Sequence, residues 1–159
     1  YTLWRLFIGR SYRAYGAALG PEFGHKSHLY VNRIAFGIPF PLTRLRFTAG
    51  RVPLRGEFVV YYANIANEVV ILAGQVAGLP GDIVALKREA LGMHSELPAD
   101  TADEGPVSCT VPENAFFVVS HDDRLMPDSR SLGFVPRRDL IGPVSGIWWP
   151  PRLIRRMRP

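Results

Sequence analysis

A chain of 159 residues with 47% hydrophobic content is long enough to bury a core, and that content excludes a disordered segment. Fifteen glycines and fourteen prolines exclude a helical bundle, since both residue types interrupt helices, and their lack of a period excludes collagen. Nineteen basic residues against fourteen acidic ones leave a net charge of +5, and no apolar run reaches the roughly 18 residues of a membrane-spanning helix.

In chain order, Leu3–Tyr15 mixes Arg5, Arg10 and Arg13 with aromatic and aliphatic residues and reads as an extended lead-in. Leu29–Phe36 is a strand by its β-branched and aromatic content. Pro39 and Pro41 force a turn. Phe58–Tyr62 is a strong strand after the turn signal Arg55-Gly56, and Val69–Leu72 is a short apolar run of the kind found in buried strands. Gly78-Leu79-Pro80-Gly81-Asp82 is a tight turn, with proline fixing φ and glycine supplying a positive one. Ile83–Lys87 follows as a strand. Ala90–Pro112 is polar and aperiodic, a loop or small excursion with a short strand near Val107–Val111. Phe116–Ser120 is a strand, Ser120–Arg130 a charged loop, and Leu132–Val135 and Leu140–Trp149 complete the set. Many short strands between Gly/Pro turns predict one all-β domain over residues 1–159, mostly antiparallel. Residues 88–110 form its excursion and residues 147–159 an aromatic-basic tail.

Few chemical sites are offered by residue type alone. Cys109 is the single cysteine, which excludes an intramolecular disulfide and a CxxC site. His25 and His28 flank Lys26, a poor neighbour for a metal, and His121-Asp122-Asp123 reads as a solvated turn. A phosphate-cradling glycine loop and a Ser-His-Asp nucleophile elbow are both absent. No metal and no cofactor is implied. Arg152–Pro159 carries four arginines and no acid. Beside Trp148 and Trp149 it suits anionic lipid head groups better than nucleic acid, with a plain solvated terminus as the alternative.

Three blocks in fixed order carry more. They are Leu29–Gly37 (LYVNRIAFG), then Val76–Asp82 (VAGLPGD), then Val111–Val119 (VPENAFFVV) with Asp128–Pro136 (DSRSLGFVP) and Leu140-Ile141-Gly142. Together they resemble the type I signal peptidase family, including its pilin-processing relatives of conjugative transfer. The resemblance spans roughly residues 5–145. It implies a β fold and a membrane-anchored endopeptidase on the periplasmic face of the cytoplasmic membrane, held by an N-terminal segment outside this chain. Its chemistry would be a serine nucleophile activated by a lysine held neutral through burial, with an oxyanion hole.

Residue by residue, the resemblance places the nucleophile at Ala18, the general base at Gly74 and an oxyanion-supporting hydroxyl at Gly16. Gln75 stands for an arginine, Met126 for a serine that supports the lysine, and Lys26-Ser27 for a Gly-Asp pair. A methyl cannot attack a carbonyl and a glycine cannot accept a proton. Ser11 and Ser27 lie several residues from the nucleophile's place, Lys26 in a polar patch, and Lys87 beside Arg88 and Glu89. By the same register Tyr12, Ala14, Leu19, Leu72 and Ala73 would line a groove that takes a peptide as an added strand. Asp128, Ser129 and Arg130 remain as a structural motif, with Asp128 and Arg130 expected to fix the fold as an ion pair.

The expectation is therefore a signal-peptidase-like domain without a working Ser/Lys dyad. Its partners would be a signal-peptide or pilin client, the membrane surface and subunits of a secretion or conjugation apparatus, with no nucleic acid. The alternative is an active serine peptidase inactivated by a substitution at Ala18.

Overall fold

A computed structural model describes residues 9–14, 20, 27–38, 48, 50–87, 106–122, 124 and 127–149. Nine strands dominate it: β1 Gly9–Ala14, β2 Ser27–Asn32, β3 Phe58–Ile65, β4 Glu68–Gly78, β5 Ile83–Leu86, β6 Val107–Thr110, β7 Ala115–Val119, β8 Val135–Pro136 and β9 Leu140–Trp149. One helical turn, α1, covers Ser129–Leu132, and a 3-10 turn covers Arg137–Asp139. Seven strands form a sheet in the order β1-β2-β9-β3-β4-β7-β8, and β5 pairs with β6 apart from it. Every pairing is antiparallel. The all-β architecture expected from the strand pattern is the architecture found.

The period-2 alternation of the strands distributes the core. Val60 of β3 and Ala73 of β4 face one side, where they pack with Leu29, Val31, Ile141 and Val144. Val59, Tyr61, Leu72 and Val76 face the other side and pack with Phe116, Val118, Val135 and Leu140. β7 is apolar on both faces because Ala115 and Phe117 turn away from that cluster and meet Leu86 and Val111. Phe117 meets Phe134 edge-on, with ring centroids 6.3 Å apart.

Several expected elements take a different form. The strand expected over Leu29–Phe36 ends at Asn32, because the Asn32 side chain accepts the Ile34 N–H at 3.2 Å and Gly37 N–H closes the turn onto Ile34 O at 3.0 Å. The short buried run Val69–Leu72 is the first half of an 11-residue strand, and Val69 and Ile71 are 53% and 45% exposed. The strand expected over Leu132–Val135 shrinks to Val135–Pro136, since Asp128 caps a helical turn in front of it and Gly133 ends that turn at φ +84°. The backbone of Ile147–Trp149 is strand, with Ile147 opposite Leu29 and Trp149 opposite His28. Residues 88–105 and 150–159 lie outside the described set. Among the described residues no helix is long and apolar enough to cross a membrane.

The Gly-Leu-Pro-Gly-Asp turn is where expected, and Asp82 holds it. Its carboxylate accepts the Leu79 N–H at 2.6 Å and pairs with Arg55, which also donates to Ala77 O at 2.8 Å. Val111 N–H and Gly81 N–H tie the turn to the residues before β7. Gly81 sits at φ +90°, where a side chain would be strained. Phe116, 1% exposed, lies at the centre of the larger cluster. Phe116→Ala is expected to cost about 3–5 kcal/mol, read as a lowered urea midpoint with an unchanged slope.

Candidate functional site

Of the positions assigned to chemistry, Gly74 is described, and it lies where β4 changes neighbours. β4 pairs with β3 over Glu68–Gln75, from Ile65↔Glu68 to Phe58↔Gln75. On its other side β7 joins only at Gln75↔Val119. Among the described residues, Glu68–Gly74 therefore presents an open strand edge. The outer side of β1 is a second one, since β1 pairs with β2 alone.

Gly74 is buried at the inner end of that open stretch. A Cβ there would lie 2.7 Å from Val119 O and 2.8 Å from Val118 Cγ1. Any side chain at this position requires β7 to move, and an extended lysine stem requires more. The chain has two lysines. Lys26 lies outside the described residues, and Lys87 is exposed at the end of β5, its backbone N–H bonded to Arg130 O at 3.0 Å. A lysine general base needs burial among apolar groups, and Lys87 is exposed. Ala18, Gly16, Leu19 and Met126 lie outside the described residues.

Of the groove residues, Tyr12 and Ala73 come together: Tyr12 packs against the cluster that holds Ala73 and Val60. Ala73 is 8% exposed and Leu72 6%, and as strand neighbours they face opposite sides, so Leu72 belongs to the other core cluster. Ala14 ends β1, opposite Ser27. Strand parity puts Val69 and Ile71 on the face of Ala73. Sequence reasoning passed over these two side chains, because a continuous apolar run reads alike for a strand buried on both sides and for one with an open edge.

Ser11 and His28 form a hydroxyl–imidazole contact of 3.4 Å across β1 and β2. It is exposed and lies on the face opposite Tyr12 and Leu29, away from the open edge of β4. Among the described residues no three His, Cys, Asp or Glu side chains are grouped as a metal site.

Asp128, Ser129 and Arg130 knit β7 to α1. Asp128 is 1% exposed and accepts Ser120 N–H at 2.8 Å, Ser120 Oγ at 3.2 Å and Arg130 N–H at 2.9 Å. Arg130 adds Nη2 at 2.6 Å and Nε at 3.0 Å to the same carboxylate oxygen, and donates to Ser120 O at 3.1 Å. Ser129 Oγ accepts Val118 N–H at 3.0 Å. Burial works to raise the Asp128 pKa, but the Arg130 guanidinium and the two backbone N–H groups outweigh it and hold it below the ordinary 3.8.

Similarity to known proteins follows the same segments. The family model described as signal peptidase, peptidase S26, matches residues 93–149, which include the Asp128 network. The chain is 28% identical over 166 aligned residues to signal peptidase I of Bacillus caldolyticus, covering 92% of this chain and 82% of that protein. It is 25% identical over 119 residues to signal peptidase IB of Staphylococcus aureus strain N315, covering 60% of this chain and 61% of that protein. The crystal structure of a signal peptidase I from Enterococcus faecalis V583 aligns with 59% of this chain and 97% of its own, at 18% identity and a TM-score of 0.42.

A lowered carboxylate pKa makes stability pH-dependent with a definite sign. The Asp128 contribution is complete above 3.8 and is lost as pH falls through the lower folded value. Urea unfolding at pH 7 and near pH 3 is expected to show this loss. Asp128→Asn should lower the pH 7 midpoint and flatten the dependence.

Proposed function

We propose that this domain, which is similar to type I signal peptidases, receives a signal-peptide-bearing or pilin client as an added strand along β4 without cutting it. The observation that carries this reading is Gly74. Its place in the family register is that of the general base, and it offers no amine, while Val119 O stands where a side chain would begin. A serine restored at Ala18 would still lack its proton acceptor, and loss of one member of such a dyad removes most of the rate.

Binding needs less than cleavage. An extended peptide gains affinity from main-chain hydrogen bonds to an open edge and selectivity from alternate side chains. The Glu68–Gly74 edge, with Val69 and Ile71 exposed beside it, supplies both. A client surface of this kind belongs on the periplasmic side of the cytoplasmic membrane, where secreted and pilin precursors emerge. There the domain serves a secretion or conjugation apparatus as a client-holding or structural subunit. The arginines of Arg152–Pro159 suit an anionic membrane surface.

The test joins cleavage and binding on purified protein. Signal-peptide and pilin precursors are expected to stay intact with the native chain and with Ala18→Ser. A fluorescent peptide covering a precursor's cleavage region is expected to bind, with affinity reduced about tenfold by Ile71→Asp, roughly 1.4 kcal/mol. Specific processing by the native chain, or restored by Ala18→Ser alone, would overturn the reading.

A further inference from the structure

β3 outruns its partner β9: their register ends at Tyr61↔Leu140, and Tyr62–Ile65 continue beyond it. Facing this overhang is the segment that follows α1. Between residues 61–64 and 132–136 lies a cavity of about 220 Å³, with Ser129, Arg138 and Asp139 completing its wall. It is on the β9 side of β3, away from the open edge of β4. A single water needs only about 10–15 Å³ of such space, and drug-sized pockets hold about 300–1,000 Å³. This one has room for a ligand of one small ring or a short branched chain.

Two features of the wall select the ligand. Tyr61 is 2% exposed, and its hydroxyl has no hydrogen-bond partner among the described residues. A buried hydroxyl left unpaired costs about 1–3 kcal/mol, so native structures seldom keep one without an occupant for it. Burial, and after it the negative charge of Asp128, push the phenol's pKa up, so it acts as a donor. Asp128 itself is neutralised by Arg130. The second feature is Arg138, which is exposed, lines the cavity and has no ion-pair partner among the described residues. The neighbouring Asp139 already has interactions of its own. Leu132, Phe134 and Val135 add an apolar wall, beside the polar Asn64 and Ser129.

We propose that this cavity binds a small organic carboxylate, whose oxygen accepts the Tyr61 hydroxyl, whose charge is met by Arg138 and whose apolar body rests on Leu132 and Phe134. The site is independent of peptide docking at β4. Arg138 selects the anion over a neutral acceptor, and the limited volume selects a fragment over a peptide.

Benzoate and its neutral counterpart benzyl alcohol are the probes, titrated into the full chain and followed by protein NMR. Saturable benzoate binding is expected, with shifts centred on residues 132–139, and benzyl alcohol should bind about tenfold more weakly. Arg138→Gln should weaken benzoate about tenfold and leave benzyl alcohol unchanged. Tyr61→Phe should weaken benzoate while keeping or raising the thermal midpoint, because its hydroxyl has no bond to lose among the described residues. Absence of saturable benzoate binding would overturn the proposal, as would benzoate binding that Arg138→Gln leaves untouched. Arg138 is exposed, so that variant tests the proposal even where Tyr61→Phe disturbs folding.

Discussion

The close approach of β4 and β7 at Gly74 is the constraint on which the rest of this fold depends. β4 must leave one flank open for six or seven residues and then take β7 as a partner within a single step. At that step the Val119 carbonyl and the Val118 side chain fill the volume of a missing Cβ. Closure there lets Phe116 and Val118 enter the cluster of Val59, Tyr61 and Leu72. The same glycine that completes the packing stands where the sequence resemblance places the general base, and its packing leaves no room for a side chain there.

The Asp128 network shows the complementary case. Its three consecutive residues belong to a motif the sequence shares with a peptidase family, yet their hydrogen bonds join one another, Ser120, the β7 backbone and the Lys87 N–H. Each buried donor on that strand end would be left without an acceptor if the carboxylate were removed, a larger penalty than the net gain from forming such a bond. A structural demand of this kind persists whether or not peptide bonds are cut nearby. It accounts for these three residues without any catalytic role, whatever stands at the positions the resemblance assigns to nucleophile and base.

Much of the fold was legible in the sequence because its signals are local. The proline and two glycines of residues 78–82 specify a turn by their own dihedral preferences, and Leu140–Trp149 reads as a strand because it is one from end to end. The misread segments depend on partners distant in the chain. Asn32 ends β2 by capturing a backbone N–H, Asp128 starts a helical turn that apolar content alone reads as strand, and Val69 and Ile71 look buried until the end of β7 at Val119 is known. The site divides likewise. Family register assigns Gly74, but only the packed strands reveal that Val119 blocks it. Tyr61 reads as one more aromatic core residue, because nothing in its sequence neighbourhood shows that its hydroxyl lacks a partner among the described residues. Tyr12 and Ala73 share one core cluster, whereas Leu72, next to Ala73 in β4, belongs to the other.

The tip joining β3 to β4 has its own lesson. Ala66 and Asn67 both adopt left-handed backbone angles, φ 50° and 67°, the mirror-image two-residue bend that matches the twist of a hairpin. Alanine has no intrinsic liking for that conformation, so the paired strands must impose it. Their grip fixes which side of β4 is up. Slippage by a single residue would exchange the side chains of Val69, Ile71 and Ala73 with those of Val70 and Leu72, hiding the first set and displaying the second. A bend two residues long thus decides what the domain shows to the outside, and lengthening it is an evolutionary route to a different recognition surface on an unchanged scaffold.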